Sequence, residues 1–238
     1  MCLVVGFTVS SCNKDNVVNP ERALLKTKYW YVTVNDTIPL KTTNYQYDNY
    51  KRLERINHYV RDSDTMLVYE IFEYNTDNDN VNKYIYHYAN DSIGWLLNDS
   101  THYIYENGKL IEEVIYFPAP NAYQVSYQYE FDNLMIKRKY RYDNHQFVLC
   151  ILYEYENGVC IKETRFSDRE LNVIDGYTIH YHDDELLIRS EKYTSQDQNF
   201  QIILYSYDPN GTLLTEESIR TDFTVVAPIE YFYRYEYY

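Results

Sequence analysis

One short pattern recurs along most of this chain and constrains its fold more than any other feature. Two aromatic residues one position apart are followed by an acid or amide, a short turn and an aliphatic residue. The copies are Tyr45-Gln-Tyr47-Asp48, Phe72-Glu-Tyr74-Asn75, Tyr103-Ile-Tyr105-Glu106, Tyr129-Glu-Phe131-Asp132, Tyr153-Glu-Tyr155-Glu156, Ile179-His-Tyr181-His182 and Tyr205-Ser-Tyr207-Asp208. Their second rings stand at 47, 74, 105, 131, 155, 181 and 207, spaced 27, 31, 26, 24, 26 and 26 residues apart. A last run, Tyr231-Phe-Tyr233-Arg-Tyr235, falls where an eighth copy begins. A fixed period of this length marks a repeat architecture, in which each copy is one supersecondary unit.

Each unit reads as a β-hairpin. Asn107-Gly108, Asn157-Gly158 and Asn210-Gly211 supply the positive φ of a tight turn between β-branched and aromatic runs. Side chains alternate along a strand, so both rings of a doublet share one face. A two-residue turn at Asn107-Gly108 pairs Tyr105 with Leu110 across the hairpin. The expected fold class is all-β: an antiparallel hairpin-repeat meander forming an elongated, curved sheet of about seven to eight repeats of ~26–27 residues. Open twisted sheets rarely exceed roughly ten strands without curling, which is why curvature is expected.

Composition sets the outer limits. Among 238 residues, 45% are hydrophobic, enough for a packed core, and 31 are tyrosine. Six glycines leave little for phosphate-cradling loops, and a net charge of −14 argues against nucleic acid as a partner.

The doublet with its acid and turn resembles the tyrosine-aspartate (YD) repeats of RHS proteins and teneurins over about residues 45–238. Tyr205 to Leu213 approaches that motif most closely. The resemblance implies a hairpin-repeat fold and leaves the function open. At the other end, the apolar run Leu3 to Val9, then Ser10-Ser11-Cys12 and the polar Asn13-Lys14-Asp15, resembles the lipobox of bacterial lipoproteins of the Bacteroides group. That resemblance implies cleavage before Cys12 and a lipid on it. The expected organisation is therefore a signal peptide at 1–11, a lipid-anchored tether with a short helical adaptor at 12–27, and a repeat domain at 28–238. Pro20 opens the adaptor, and Tyr29-Trp30-Tyr31 lies in the first strand.

Candidate chemistry is sparse. Cys150 and Cys160 flank the turn at Asn157-Gly158, which puts Cys160 opposite residue 154 or 155 and about 13 Å from Cys150, too far for a disulfide. His180-Tyr181-His182 places two imidazoles on one face, but no third ligand is visible in the sequence. They read as solvent-facing residues at a hairpin end, and no metal is assigned. The other histidines, His58 among them, read as strand-surface residues. The run Asn75-Thr-Asp77-Asn-Asp79-Asn80 spaces oxygens like a calcium loop but lacks its glycine and bidentate glutamate, so it reads as a polar turn. Glu112-Glu113 and Glu216-Glu217 are sequence neighbours and point to opposite faces.

No cofactor is called for and no catalytic residue is assigned. A binding site should break the repeat, so the irregular stretches carrying Trp95, Phe117 and Tyr123 are the candidate ligand surface. The function expected is a non-catalytic envelope protein, anchored by lipid at the bacterial outer membrane on its periplasmic or outer side. It presents an extended β surface to a protein or glycan. The alternative is a glycan-active enzyme whose carboxylates assemble across strands. A lipid-embedded barrel is disfavoured because Arg138, Lys139, Arg141, Glu163 and Arg165 charge both faces of their strands.

Overall fold

The computed structural model describes residues 24–32, 35–60, 65–77, 79–118, 122–221 and 231–238. Cys12, the signal segment and Pro20 lie outside them. The described strands are β1 (Leu25–Tyr31), β2 (Lys41–Tyr47), β3 (Leu53–Val60), β4 (Met66–Tyr74), β5 (Asn80–Asn90), β6 (Gly94–Glu106), β7 (Lys109–Phe117) and β8 (Tyr123–Asp132). They continue as β9 (Met135–Asp143), β10 (Gln146–Glu156), β11 (Val159–Phe166), β12 (Ile174–Asp183), β13 (Leu186–Thr194), β14 (Asn199–Tyr207), β15 (Leu213–Arg220) and β16 (Tyr231–Tyr237). Strand β1 begins at Leu25, so the barrel wall takes in the last residues of the stretch read as tether.

Every strand pairs antiparallel with its sequence neighbours, and β1 pairs with β16, giving one closed barrel. This corrects the elongated, open meander expected from the sequence. The hairpins are as expected; the shape is not. Closure depends on the two end strands meeting, with Trp30 opposite Tyr233 and Tyr31 opposite Phe232, and no local pattern reports that meeting.

What bends the sheet into a ring is repeated in every unit. A β-bulge interrupts each of the seven hairpins at its second ring position: Tyr47, Tyr74, Tyr105, Phe131, Tyr155, His182 and Tyr207. Bulges increase local twist and bend the strand. The eighth unit is split between the chain ends: Tyr237 pairs with Leu25 beside a bulge, as Tyr47 pairs with Leu53. The ring thus holds eight hairpins, and the gap in the chain falls at the turn of the eighth.

The turns come in two kinds. Asn107-Gly108 and Asn157-Gly158 have positive φ at both residues, as a two-residue primed turn requires. Asn210-Gly211 belongs instead to a longer loop in which Asp208 Oδ1 accepts the backbone N–H groups of Asn210 and Thr212. Asp48 caps its turn the same way, and so does Asn75, which accepts from Asp77 and Asp79. The calcium-like run is therefore an Asx-capped turn, and the acid after the doublet has a structural task.

The pairing also separates the two faces of the wall. Following register around the barrel puts Lys28, Glu70, Tyr129, Lys139, Glu163 and Glu216 on one face. There, side chains two strands apart act on one another: Lys139 of β9 feels Glu113 of β7 and Glu163 of β11. That convergence identifies the concave, inner face. Burial lowers the affinity of Lys28, Lys139 and Lys192 for their protons, and nearby glutamates partly restore it. The outer face carries solvated ion pairs between adjacent strands, including Lys26–Glu236 at 2.9 Å, Arg138–Glu130 at 3.2 Å and Lys162–Glu154 at 3.5 Å.

Candidate functional site

The rings of the doublets point inward and form a hydrogen-bonded girdle. Five of the second rings donate their hydroxyl to a residue at the start of the return strand of the preceding unit. The bonds are Tyr47 to Leu25 O (2.9 Å), Tyr74 to Leu53 O (2.8 Å), Tyr155 to Ile136 O (2.8 Å), Tyr207 to Leu187 O (2.8 Å) and Tyr237 to Leu213 O (2.8 Å). Each accepting residue is the one that pairs with the preceding unit's own second ring. Two of the first rings reach a carboxylate on the preceding strand: Tyr129 donates to Glu113 at 2.8 Å and Tyr235 to Glu216 at 2.9 Å. Burial, those carboxylates and those bonds push both phenols far above the usual tyrosine range. Tyrosine hydroxyl bonds thus bridge successive hairpins on the inner face.

Phe131 holds the second-ring place without a hydroxyl, and the sixth unit departs further. In the sixth unit the inward positions belong to His180 and His182, while Ile179 and Tyr181 face outward. The repeat read from the sequence is one residue out of register there. His180 takes the first-ring place and faces Glu163, with Nε2 3.3 Å from Oε1, as Tyr129 faces Glu113. His182 takes the second-ring place, whose regular acceptor is the residue paired with Tyr155. That residue is Cys160.

Cys160 comes from the next strand over, and a bulge decides where it points. In an unbroken strand, residues three apart face opposite ways. The bulge between Cys160 and Lys162 skips one place, so Cys160 shares the inner face with Glu163. The Cys160 thiol, a Glu163 carboxylate oxygen and a His180 ring nitrogen lie within 4.8 Å of one another. Ser190 Oγ stands 2.9 Å from His180 Nδ1 and orients the ring. The His180 side chain is only 7% exposed, which corrects its expected place in solvent. His182 is held below the usual imidazole range by burial and by His180. A cavity of about 70 Å³ opens beside Glu163, between Arg165, Thr178 and Lys192. Gly176 edges it where a Cβ would meet Tyr193 O at 2.6 Å.

His58 is also buried inside the barrel, another correction. It bridges Thr43 Oγ1 at 3.0 Å and Glu70 Oε1 at 2.9 Å. Burial opposes the charge on Glu70, but the His58 bond and Lys83 and Lys41 hold its carboxyl below the usual range. Thr43, His58 and Glu70 have the order of a nucleophile, base and orienting acid. All three are closed off from solvent, and their backbone groups are engaged in the ladder, so the set braces three strands.

The expected ligand surface is divided. Trp95 lies on the outer face against Tyr69 (4.6 Å between ring centroids) and Tyr88 (5.3 Å), with Arg55 over Tyr69. Phe117 and Tyr123 stack on each other at 4.2 Å on the inner face. All three sit at the rim opposite the tight turns, but they form no single surface. Neither cysteine is in a disulfide. Cys160 pairs with Tyr155, within the expected range, while Cys150 faces outward beside Tyr140 and Phe166.

No family model matches the chain, and no curated protein matches it. Among solved structures, a porin-like protein from Bacteroides uniformis aligns with a TM-score of 0.56 at 10% identity, covering 91% of this chain and 99% of that one. At that identity the likeness is one of fold: a closed β-barrel of similar extent. A protein of unknown function from Bacteroides fragilis (12% identity, 68% and 87% covered) and the Tc holotoxin pore of Photorhabdus luminescens (10% identity, 81% and 14% covered) align with TM-scores of 0.18, too low to carry an argument.

Proposed function

We propose that this barrel is a non-catalytic envelope protein, held at the outer membrane by a lipid on Cys12, whose wall stays in water and serves as a binding scaffold. The observation that carries the reading is the outer face. Arg138 pairs with Glu130 and Lys162 with Glu154 across neighbouring strands there, and Arg189 pairs with Glu191 along β13. A lipid-facing wall needs a continuous apolar band, and a Lys or Arg at the bilayer midplane costs about 2–4 kcal/mol. A barrel with this exterior needs a separate anchor, and two or more acyl chains on one cysteine make a stable one. The aromatic cluster around Trp95, with a guanidinium and flat ring faces turned outward, suits stacking against a sugar or a protein loop.

Membrane fractionation tests the anchor. Full-length protein should sediment with the membrane and need detergent for release, whereas Cys12→Ala should appear in the aqueous fraction as a folded barrel. A Cys12→Ala protein that still requires detergent would mean that the wall itself is embedded in lipid.

A further inference from the structure

We infer that Cys160, Glu163 and His180 form a binding site for a borderline divalent cation, with Zn(II) the best fit, at the junction of the fifth and sixth hairpins. The inference is independent of where the protein resides. Its starting point is the repeat. At the equivalent places, other units carry Leu53, Leu110, Leu187 or Leu213 where this junction has Cys160. They carry tyrosines such as Tyr205 and Tyr207 where it has His180 and His182. Two of these departures, Cys160 and His180, meet at Glu163, and each replaces an apolar or phenolic group with a metal ligand.

The geometry agrees with the chemistry. For tetrahedral zinc, bond lengths of about 2.0–2.2 Å to N and O imply an N···O edge of about 3.4 Å. His180 Nε2 and Glu163 Oε1 are 3.3 Å apart. The Cys160 thiol stands within 4.8 Å of both and donates to Lys162 O at 3.7 Å, a bond that binding would exchange for the metal. Ser190 on Nδ1 supplies the outer partner that metal-bound imidazoles use to fix their orientation. A thiolate, an imidazole and one carboxylate select Zn(II) over Mg(II) or Ca(II), which prefer all-oxygen sites. On binding, the thiol proton leaves to solvent and the thiolate donates to the metal. Lys139 and Lys192 also face Glu163 and compete for it. The fourth position of such a three-ligand site falls to water.

Cobalt(II) is the probe, because a cysteine thiolate bound to it gives a charge-transfer band that carboxylates and imidazoles do not. Titrating the full-length chain with cobalt should produce that band with tetrahedral ligand-field absorption, and zinc should displace it. Cys160→Ser should abolish the band, and Glu163→Gln or His180→Gln should weaken cobalt binding at least about tenfold. Ser190→Ala should weaken it by about 10–100-fold while keeping the band. Cys150→Ser, on the other face of the wall, should leave everything unchanged, and circular dichroism checks that each variant is folded. No charge-transfer band in the wild-type chain, or a band that survives Cys160→Ser, would overturn the site.

Discussion

Tyr207 and His182 occupy the same place in successive hairpins, and the contrast between them separates scaffold from site. Tyr207 spans the gap to the preceding unit and closes it with a bond to Leu187 O at 2.8 Å. His182 stands where the regular acceptor is Cys160, with His180 and Glu163 alongside. An imidazole is shorter than a phenol, so the same backbone spacing leaves room at this junction that the Tyr207 hydroxyl fills at the next. A ring held by several such bonds tolerates the loss of one at a single junction, as it does at Phe131.

The comparison treats the closing seam as an ordinary eighth junction, and the largest effect tests that premise. Phe232 is buried against Tyr31, 6.1 Å between ring centres. Phe232→Ala should cost about 3–5 kcal/mol in denaturant unfolding. A loss below about 1 kcal/mol would mean that the seam contributes little and the barrel is stable open.

The next effect concerns the first-ring position. Tyr235→Phe removes the phenol hydrogen bond that the half-buried Glu216 carboxylate accepts at 2.9 Å. Losing a hydrogen bond to a charged group should cost about 1.5–3 kcal/mol. An equal loss from Tyr129→Phe at Glu113 would establish the two as the same device; unequal losses would break the equivalence.

Second-ring substitutions should have smaller effects. Tyr207→Phe should cost about 0.5–1.5 kcal/mol by thermal or chemical melting. His182→Tyr, in metal-free protein, should gain a similar amount if its hydroxyl reaches the Cys160 carbonyl. A clear destabilisation by His182→Tyr would show that the junction has a different shape, not just different residues.

No effect is expected at neutral pH from the last test. Burial pushes Tyr205 up to about 12, with Glu216 adding, and pushes Tyr105 up to about 12, with Asp79 and Glu113 adding. Unfolded tyrosine titrates near 10. A group whose folded pKa is raised stabilises the fold fully below the unfolded value, and that stability is lost as pH rises through the folded value. Stability should therefore fall between about pH 10 and 12, with tyrosinate absorbance rising in step with unfolding. Ionisation of most tyrosines near pH 10 without unfolding would place the doublets in solvent.

Much of the hairpin chemistry is legible in the residues. The doublet, the Asn-Gly turns and the two-residue alternation predict strands, ring pairs that share one face and the pairing of Tyr105 with Leu110, which the structure contains. The sixth unit is where reading by type fails. Tyr181 looks like the second ring, yet it faces outward, because register is carried by backbone pairing and not by residue identity. Cys160 and Glu163 are three apart and look like residues of opposite faces. Only the bulge at Ile161 brings them together. A criterion available from the start, that a site should interrupt the repeat, would have pointed to His180 and His182 had the register been known.

By itself, then, the sequence determined an all-β chain of repeated hairpins with tyrosines aimed to one side, because alternation and turn chemistry are local. The tertiary structure decided that the hairpins close into a barrel, which side is the inside, and which ligand-bearing side chains meet. Those outcomes rest on long-range pairing and on bulges summed around sixteen strands. Neither the pairing of β1 with β16 nor the skipped residue in β11 leaves a mark in any short stretch of sequence.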